Sequence, residues 1–530
     1  MFDIIIKNGI IVDGTGEKRY KGNIGIKDGK ITFVGSCCEN EISEAKEIIN
    51  AEGLIITPGF IDFHSHSDFV LLVETRATNM LKQGITTEVT GHCGLSLIPL
   101  SDEIVRQMKP YIPSEKYNEL AVISRRPPDI ISKIEKSNLG TNIAFLVGHG
   151  TIRAEVMGYE DRKPSDKELE KMKALIREAM EAGAIGMSSG LIYPPGVYAK
   201  EEELTELCKI VSEHGGIYTS HMRSESNFVI DSVKETIRIG ENAKLPVVIS
   251  HHKIAGKQNW GKSKETLKLI EEANFKGIKV RLDQYPYKAG ATSLMSALPP
   301  NYAVDGFSKL LEKLQDKKIR HEIKQLLMSN QVDFENLIYG CGLDGVLIVE
   351  APTTKELCGK TIAQLAKELN KDPYDTIFDL LIENEGNVGA VYFMMDYEDI
   401  ERIMAYKFTM GGTDAIYINE QLPAGHPRFT GTFTKILSEY IRDKKIVSLE
   451  EGIRKLTSMP ADIAGFSTKG IIKEGYDADL VILDYENLKA NSDFINPSAP
   501  NEGVKYVLVN GKIAVKDDTI TGICAGKVIR

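Results

Sequence analysis

No apolar run in this chain reaches the length that a membrane-spanning helix needs, so no spanning segment is expected. No basic stretch stands out against a net charge of -10, and without one there is no counterion release to drive binding to nucleic acid or an anionic bilayer. No Gly-rich stretch ends in G-K-[ST]; G-L-I-Y-P-P-G at 190–196 is therefore not a phosphate loop. Long Pro/Gly/Ser tracts and extended charge blocks are missing as well, which excludes a low-complexity or disordered chain. Cysteine is sparse: seven residues, an odd number without paired spacing, of which the adjacent Cys37 and Cys38 could not bridge each other without strain. Reduced thiols in a cytoplasmic chain fit that usage. The first residues, M-F-D-I-I-I-K-N-G, lack a basic segment followed by an apolar one, so no secretory leader is expected. These exclusions leave small molecules as the expected ligands.

What is there describes a globular protein, with 42% hydrophobic and 26% charged residues. A length of 530 residues accommodates one large barrel with insertions and a smaller satellite domain. Both ends of the chain carry short β-rich runs broken by Gly turns, with Asp28-Gly29 and Asn510-Gly511 as hairpin signals. Neither end has enough strand to bury a core alone, so residues 1–57 and 466–530 are expected to pair into one β-sandwich. Between them, apolar runs alternate with amphipathic helices. Ser165 and Glu168 make a capping box for a helix with Leu169, Met172, Leu175, Ile176 and Met180 on its stripe, which stops at Gly183. A second helix over 201–214 turns Leu204, Leu207 and Val211 inward and ends at Gly215-Gly216. This rhythm predicts an α/β fold, a TIM-like (β/α)8 barrel over 58–465. Candidate strands lie near 60, 87, 145, 186, 218, 248, 281, 391 and 409, nine for eight places. The stretch from about 294 to 350 breaks the rhythm and reads as a subdomain inserted over the barrel mouth.

The chemistry-bearing residues gather at the ends of these runs. In T-P-G-F-I-D-F-H-S-H-S-D (57–68) an apolar strand delivers His64 and His66, whose side chains, two apart, share a face and can converge on one metal ion. Cys93, in the Gly-flanked loop T-G-H-C-G, is either a thiolate ligand or a small buried hydrophobe; Cys208, on a helix stripe, is the second kind. His221 and His251 each close an apolar run as an S-H pair, where barrel enzymes place catalytic groups, though core histidines satisfied by backbone would look the same. Asp414 ends F-T-M-G-G-T-D as either a catalytic carboxylate or a helix cap. His149 and Arg153 read as supports of the barrel mouth.

Several phrases are more specific than a metal motif: P-G-F-I-D-F-H-S-H, G-I-T-T-E-V-T-G-H-C-G, V-G-H-G-T-I-R, G-M-S-S-G-L-I-Y-P-P-G, D-Q-Y-P-Y and H-P-R-F-T-G-T-F. Over most of its length the chain resembles the amidohydrolase superfamily, and within it the N-acyl-D-amino-acid deacylase (D-aminoacylase) family. The resemblance implies zinc-dependent hydrolysis of the amide bond of N-acyl-D-amino acids. It makes Cys93, His221 and His251 the ligands of one tightly held Zn²⁺. His64 and His66 then hold a second, weaker position bridged by Cys93, and Asp414 is the acid–base. It nominates Lys253, Tyr287 and Arg428 as readers of the substrate carboxylate. The fourth strand, A-I-G-M-S-S-G, has no Lys to bridge two metals, in keeping with a bridging cysteine. Of the doublet His251-His252 the resemblance favours His251, because Lys253 then falls on the family's S-H-x-K lysine. One departure stands out, Ala291 where the family commonly has a serine beside the carboxylate. Rival readings are a cyclic-amide hydrolase of the dihydroorotase or hydantoinase type, a dipeptidase releasing D-amino acids, and a non-catalytic scaffold on the same fold. Expected partners are a small N-acyl amino acid, with neither nucleic acid nor membrane; monomer and homo-oligomer both remain open.

Overall fold

The computed structural model describes residues 1–36, 45–100, 105, 123–418 and 424–530; the Cys37-Cys38 pair lies outside them. The barrel is an eight-stranded parallel sheet. Its strands in chain order are β1 (Phe60–Ser65), β2 (Ile85–Thr90), β3 (Asn142–Gly148), β4 (Gly186–Gly190), β5 (Ile217–His221), β6 (Val247–Ile249), β7 (Val280–Gln284) and β8 (Thr409–Gly411). Each pairs with the next, and a bridge between Ser65 and Ala415 brings the last back to the first. Almost every residue of these strands is buried, as expected where helices cover a parallel sheet on one side and the barrel interior fills the other. Phe63, Val89, Leu146, Ile217, Val248 and Met410 come from six different strands yet form one cluster with Met459 and Ile463. Strands from opposite walls can share a cluster only inside the barrel, so the barrel is a packed core.

The helices begin and end where local chemistry dictates. Ser165 and Glu168 form a reciprocal capping box on helix Asp166–Glu181, which buries Met172, Ile176 and Met180. Helix Glu201–Glu213 buries Leu204, Leu207, Cys208 and Val211, and Gly215 takes a positive φ of 70° just past its end.

Both chain ends build one nine-stranded mixed sheet. The two hairpins expected from the sequence turn at Asp28-Gly29 and Asn510-Gly511, with both central residues at positive φ in each, as a tight two-residue turn requires. Ile55–Pro58 runs antiparallel to Leu480–Leu483, joining the first part of the chain to the last, and Ile6, Ile24, Ile56, Leu480, Ile482 and Leu508 share one core.

The ninth candidate strand has its own place. Gly389–Phe393 does not enter the barrel; it is the central strand of a three-stranded antiparallel sheet between Ala289–Ser293 and Val346–Glu350. Its apolar run resembles that of a barrel strand because helices cover it too, so composition alone could not separate the two. This sheet carries Ala291 and Thr292 from the end of β7 outward, which places it beside the barrel's C-terminal mouth.

Candidate metal and active site

His64, His66, Cys93, His221, His251 and Asp414 all lie at or just beyond the C-terminal ends of their strands. Three of them, Cys93, His251 and Asp414, sit at positive φ (54°, 35° and 51°), a backbone region that residues with a Cβ seldom adopt. Each such residue costs of order 1–3 kcal/mol and persists only where its surroundings over-determine it, which is characteristic of functional sites.

The donor atoms converge. Cys93 Sγ lies 3.3 Å from His251 Nε2 and 3.5 Å from His64 Nε2. By mutual distance the donors form three triads: His64, Cys93 and His251; His64, His66 and Asp414; His221, Glu225 and His251. The trio nominated for the tight ion is thus joined through His251, with Cys93 in one triad and His221 in another. His252 turns away to Thr266, 2.9 Å from its hydroxyl, so His251 is the member of the doublet that faces the cluster.

Charged side chains flank the rings. Glu225 Oε1 is 3.0 Å from His251 Nδ1, and the same ring nitrogen lies 2.6 Å from Lys253 Nζ, so Glu225 and Lys253 together hold that edge of the ring while Nε2 faces Cys93. Asp283 Oδ1 lies 3.0 Å from His64 Nδ1, off the ring's donor axis, and also accepts the His251 backbone N–H at 2.7 Å. Burial, the largest cause, drives His64, His221 and His251 toward the neutral form; His64 falls to about 3. Neutral imidazoles are what a metal takes as ligands.

These residues fit a metal ion on the evidence of their own contacts. His221 is buried with neither ring nitrogen hydrogen-bonded, and burial first, with the Asp414 carboxylate next, pushes the Cys93 thiol well above its ordinary range. Orphaned buried ring nitrogens are costly unless a cation engages them, and a set of sulfur and imidazole donors suits zinc.

Asp414 links the cluster to the cationic side of the mouth. Its Oδ1 is 3.2 Å from His66 Nε2, and its Oδ2 accepts from Arg428 Nη1 at 2.6 Å. Burial would raise its pKa, but the Arg428 guanidinium and the His66 ring outweigh burial and hold the carboxyl well below the usual range. Arg428 spends Nη2 on the Ala291 carbonyl and has its Nε unpartnered. Lys253 is buried, 2.6 Å from Glu225 Oε1; burial works against its charge, but Glu225 prevails and keeps it cationic.

Tyr287 is buried with its hydroxyl donated to the Pro427 carbonyl at 3.2 Å. The tyrosine that meets the cations is Tyr285, whose ring lies 5.0 Å from the Arg428 guanidinium and 5.7 Å from Lys253 Nζ. Sequence reasoning passed over Tyr285, Glu225 and Asp283. Only Asp283, an acid ending an apolar strand in V-R-L-D, carried the strand-end signal. His149 and Arg153 both engage Glu203, at 2.9 and 3.1 Å.

The fold and the site together define a metal-dependent barrel hydrolase. The chain belongs to the amidohydrolase family: a model of that family matches residues 47–323 and 378–515. The D-aminoacylase of Alcaligenes xylosoxydans xylosoxydans is 34% identical over 529 residues, spanning 100% of this chain and 97% of that protein. Among solved structures, D-aminoacylase, studied for its binuclear metal centre, with one-metal activation and second-metal attenuation, superposes with a TM-score of 0.81 at 33% identity, covering all of both chains. N-acyl-D-glutamate deacylase from Bordetella bronchiseptica, complexed with zinc and a phosphonate mimic of the tetrahedral intermediate, gives 0.81 at 29%, covering 100% of this chain and 99% of that one.

Proposed function

We propose that this protein hydrolyses the amide bond of N-acyl-D-amino acids, giving a carboxylate and a free D-amino acid. The observation that carries the reading is Asp414 itself, one oxygen on His66 of the donor cluster and the other on Arg428. A proton acceptor thus joins the metal-binding residues to a cation suited to a carboxylate. Cys93, His221 and His251 would hold the tight zinc, and His64 and His66, with Cys93, a weaker position. Zinc bound there supplies Lewis acidity toward a carbonyl and toward water.

The chain's own residues supply the rest. Asp414, ionised and buried, takes a proton from the attacking water and returns it to the departing nitrogen, a base turned acid. Arg428 Nε, an unsatisfied buried donor, awaits the substrate carboxylate, with Tyr285 stacked against the guanidinium. Ala291 gives no hydroxyl there; Thr292, 3.3 Å from the Tyr193 hydroxyl, and Ser293 are the hydroxyl-bearing side chains of that strand. Whole-length similarity to deacylases of linear substrates favours this reading over a cyclic-amide hydrolase, and an intact donor set favours it over a silent scaffold.

Arg428→Ala tests it, because that side chain serves two groups. For N-acyl-D-amino acids KM should rise about a hundredfold, the worth of a desolvated charge pair, and kcat should fall because Asp414 loses its partner. Carboxamide analogues, with no charge for Arg428 to grip, should show only the kcat loss. Equal KM changes on acid and amide would remove Arg428 from substrate recognition.

A further inference from the structure

Directly behind the donor cluster lies a carboxylate that the reaction as described does not use. Glu88, on β2, is fully buried and has no cationic partner among the described ion pairs. Its two oxygens instead collect four hydroxyl donors. Oε2 accepts from Ser65 at 2.8 Å and Ser67 at 2.7 Å; Oε1 accepts from Thr141 at 2.6 Å and Tyr417 at 2.8 Å. All four donors are themselves buried. Such a carboxylate is costly to bury without ionic compensation, and four short O–H bonds are what make its burial tolerable. Burial pushes its pKa up, while the hydroxyls of Thr141, Ser67, Tyr417 and Ser65 pull it back.

The identity of the donors matters more than their number. Ser65 and Ser67 flank His66 on either side, and Tyr417 stands three residues after Asp414. Those two segments already run side by side: the Asp414 N–H donates to the His64 carbonyl at 2.7 Å, and the His66 N–H to the Ala415 carbonyl at 2.8 Å. Glu88 ties both to β2 from behind, with one oxygen on the His66 segment and the other on the Asp414 segment. Asp414 is held at positive φ. A strained backbone of that kind needs such anchoring to stay in place.

We propose that Glu88 is a positioning residue for the reaction, an anionic hub that fixes the His66 and Asp414 segments in register so that Asp414 meets its proton at the right distance. The inference rests on Asp414 acting as the acid–base. Glu88 acts through its hydroxyl partners and touches no reacting atom. Glu88→Gln keeps the shape, but an amide offers one acceptor oxygen and brings N–H donors, so hydroxyls on one side must turn round.

The test is steady-state kinetics on zinc-loaded Glu88→Gln, Tyr417→Phe and the double variant, with circular dichroism and zinc content alongside. Misplacing a reacting group by up to about 1 Å costs as much as about a hundredfold. The expected result is a tenfold to hundredfold fall in kcat for Glu88→Gln, with KM within about twofold and the tight zinc retained. Tyr417→Phe should lower kcat severalfold in the same manner. The double variant should lose less than the product of the two single losses, because both act through one network. Normal kcat in a folded, metal-loaded Glu88→Gln, or a change confined to KM, overturns the inference. If Glu88→Gln does not fold, Tyr417→Phe decides alone, and an unchanged kcat there overturns it. An inactive Asp414→Asn beside a fully active Glu88→Gln rejects only this inference, whereas an active Asp414→Asn rejects the functional reading beneath it.

Discussion

Asp414→Asn is expected to lower kcat by about two to four powers of ten while the fold and the tight zinc remain, the usual range for losing a positioned acid–base. The amide is nearly isosteric and its oxygen can still accept from Arg428 at the place where Oδ2 now lies 2.6 Å away. It cannot take up a proton at neutral pH, and proton uptake is the function assigned to this carboxylate. Because Asp414 also lies 3.2 Å from His66 Nε2, the variant could disturb the weaker metal position. Zinc content is therefore measured on the same sample. A near-normal kcat in zinc-loaded protein would mean that another group moves the proton.

Cys93→Ala should have the second large effect, loss of the tight zinc and of turnover together. The sulfur lies within 3.5 Å of both His64 and His251, and it is the only thiol of the described residues in any triad of donors. Removing a supporting partner of a metal ligand typically costs about 10–100-fold in affinity, and removing the ligand itself should exceed that. Purified Cys93→Ala should hold far less than one zinc, with circular dichroism unchanged. Full zinc occupancy with normal rates would show that the thiol is a packed core side chain after all.

The sequence carried much of this architecture because its signals were local. A-D-L-V-I-L-D, the two Gly hairpins and the Ser165–Glu168 capping box each fix structure through neighbours in the chain, and each forms as the pattern implies. Gly389–Phe393 escaped because an apolar five-residue run is the same in an inserted sheet as in a barrel; only its pairing with Ala289–Ser293 tells them apart. At the site, strand-end histidines were visible because period-two geometry and S-H repetition mark them. Glu225 and Glu88 were not. Glu225 sits in a loop with no periodicity, and Glu88 is one of several polar residues in the strand I-T-T-E-V-T, so their roles emerge only when distant segments are folded against them. The choice between Tyr285 and Tyr287 depends on which way two tyrosines face across one proline, a matter of backbone direction that a Y-P-Y phrase does not encode.

The most direct measurement is a hydrolysis panel of N-acyl amino acids in paired D and L forms, run with the zinc-loaded full chain beside hydantoin and dihydroorotate. In the proposed reading the zinc-binding end and Arg428 would fix two points of the substrate, so the configuration of the carbon between them would decide where its side chain points. Release of free D-amino acid at a kcat/KM at least about a hundredfold above that for the L form, with the cyclic amides inert, is the expected result. Preference for the L forms, or turnover of the cyclic amides alone, would contradict it.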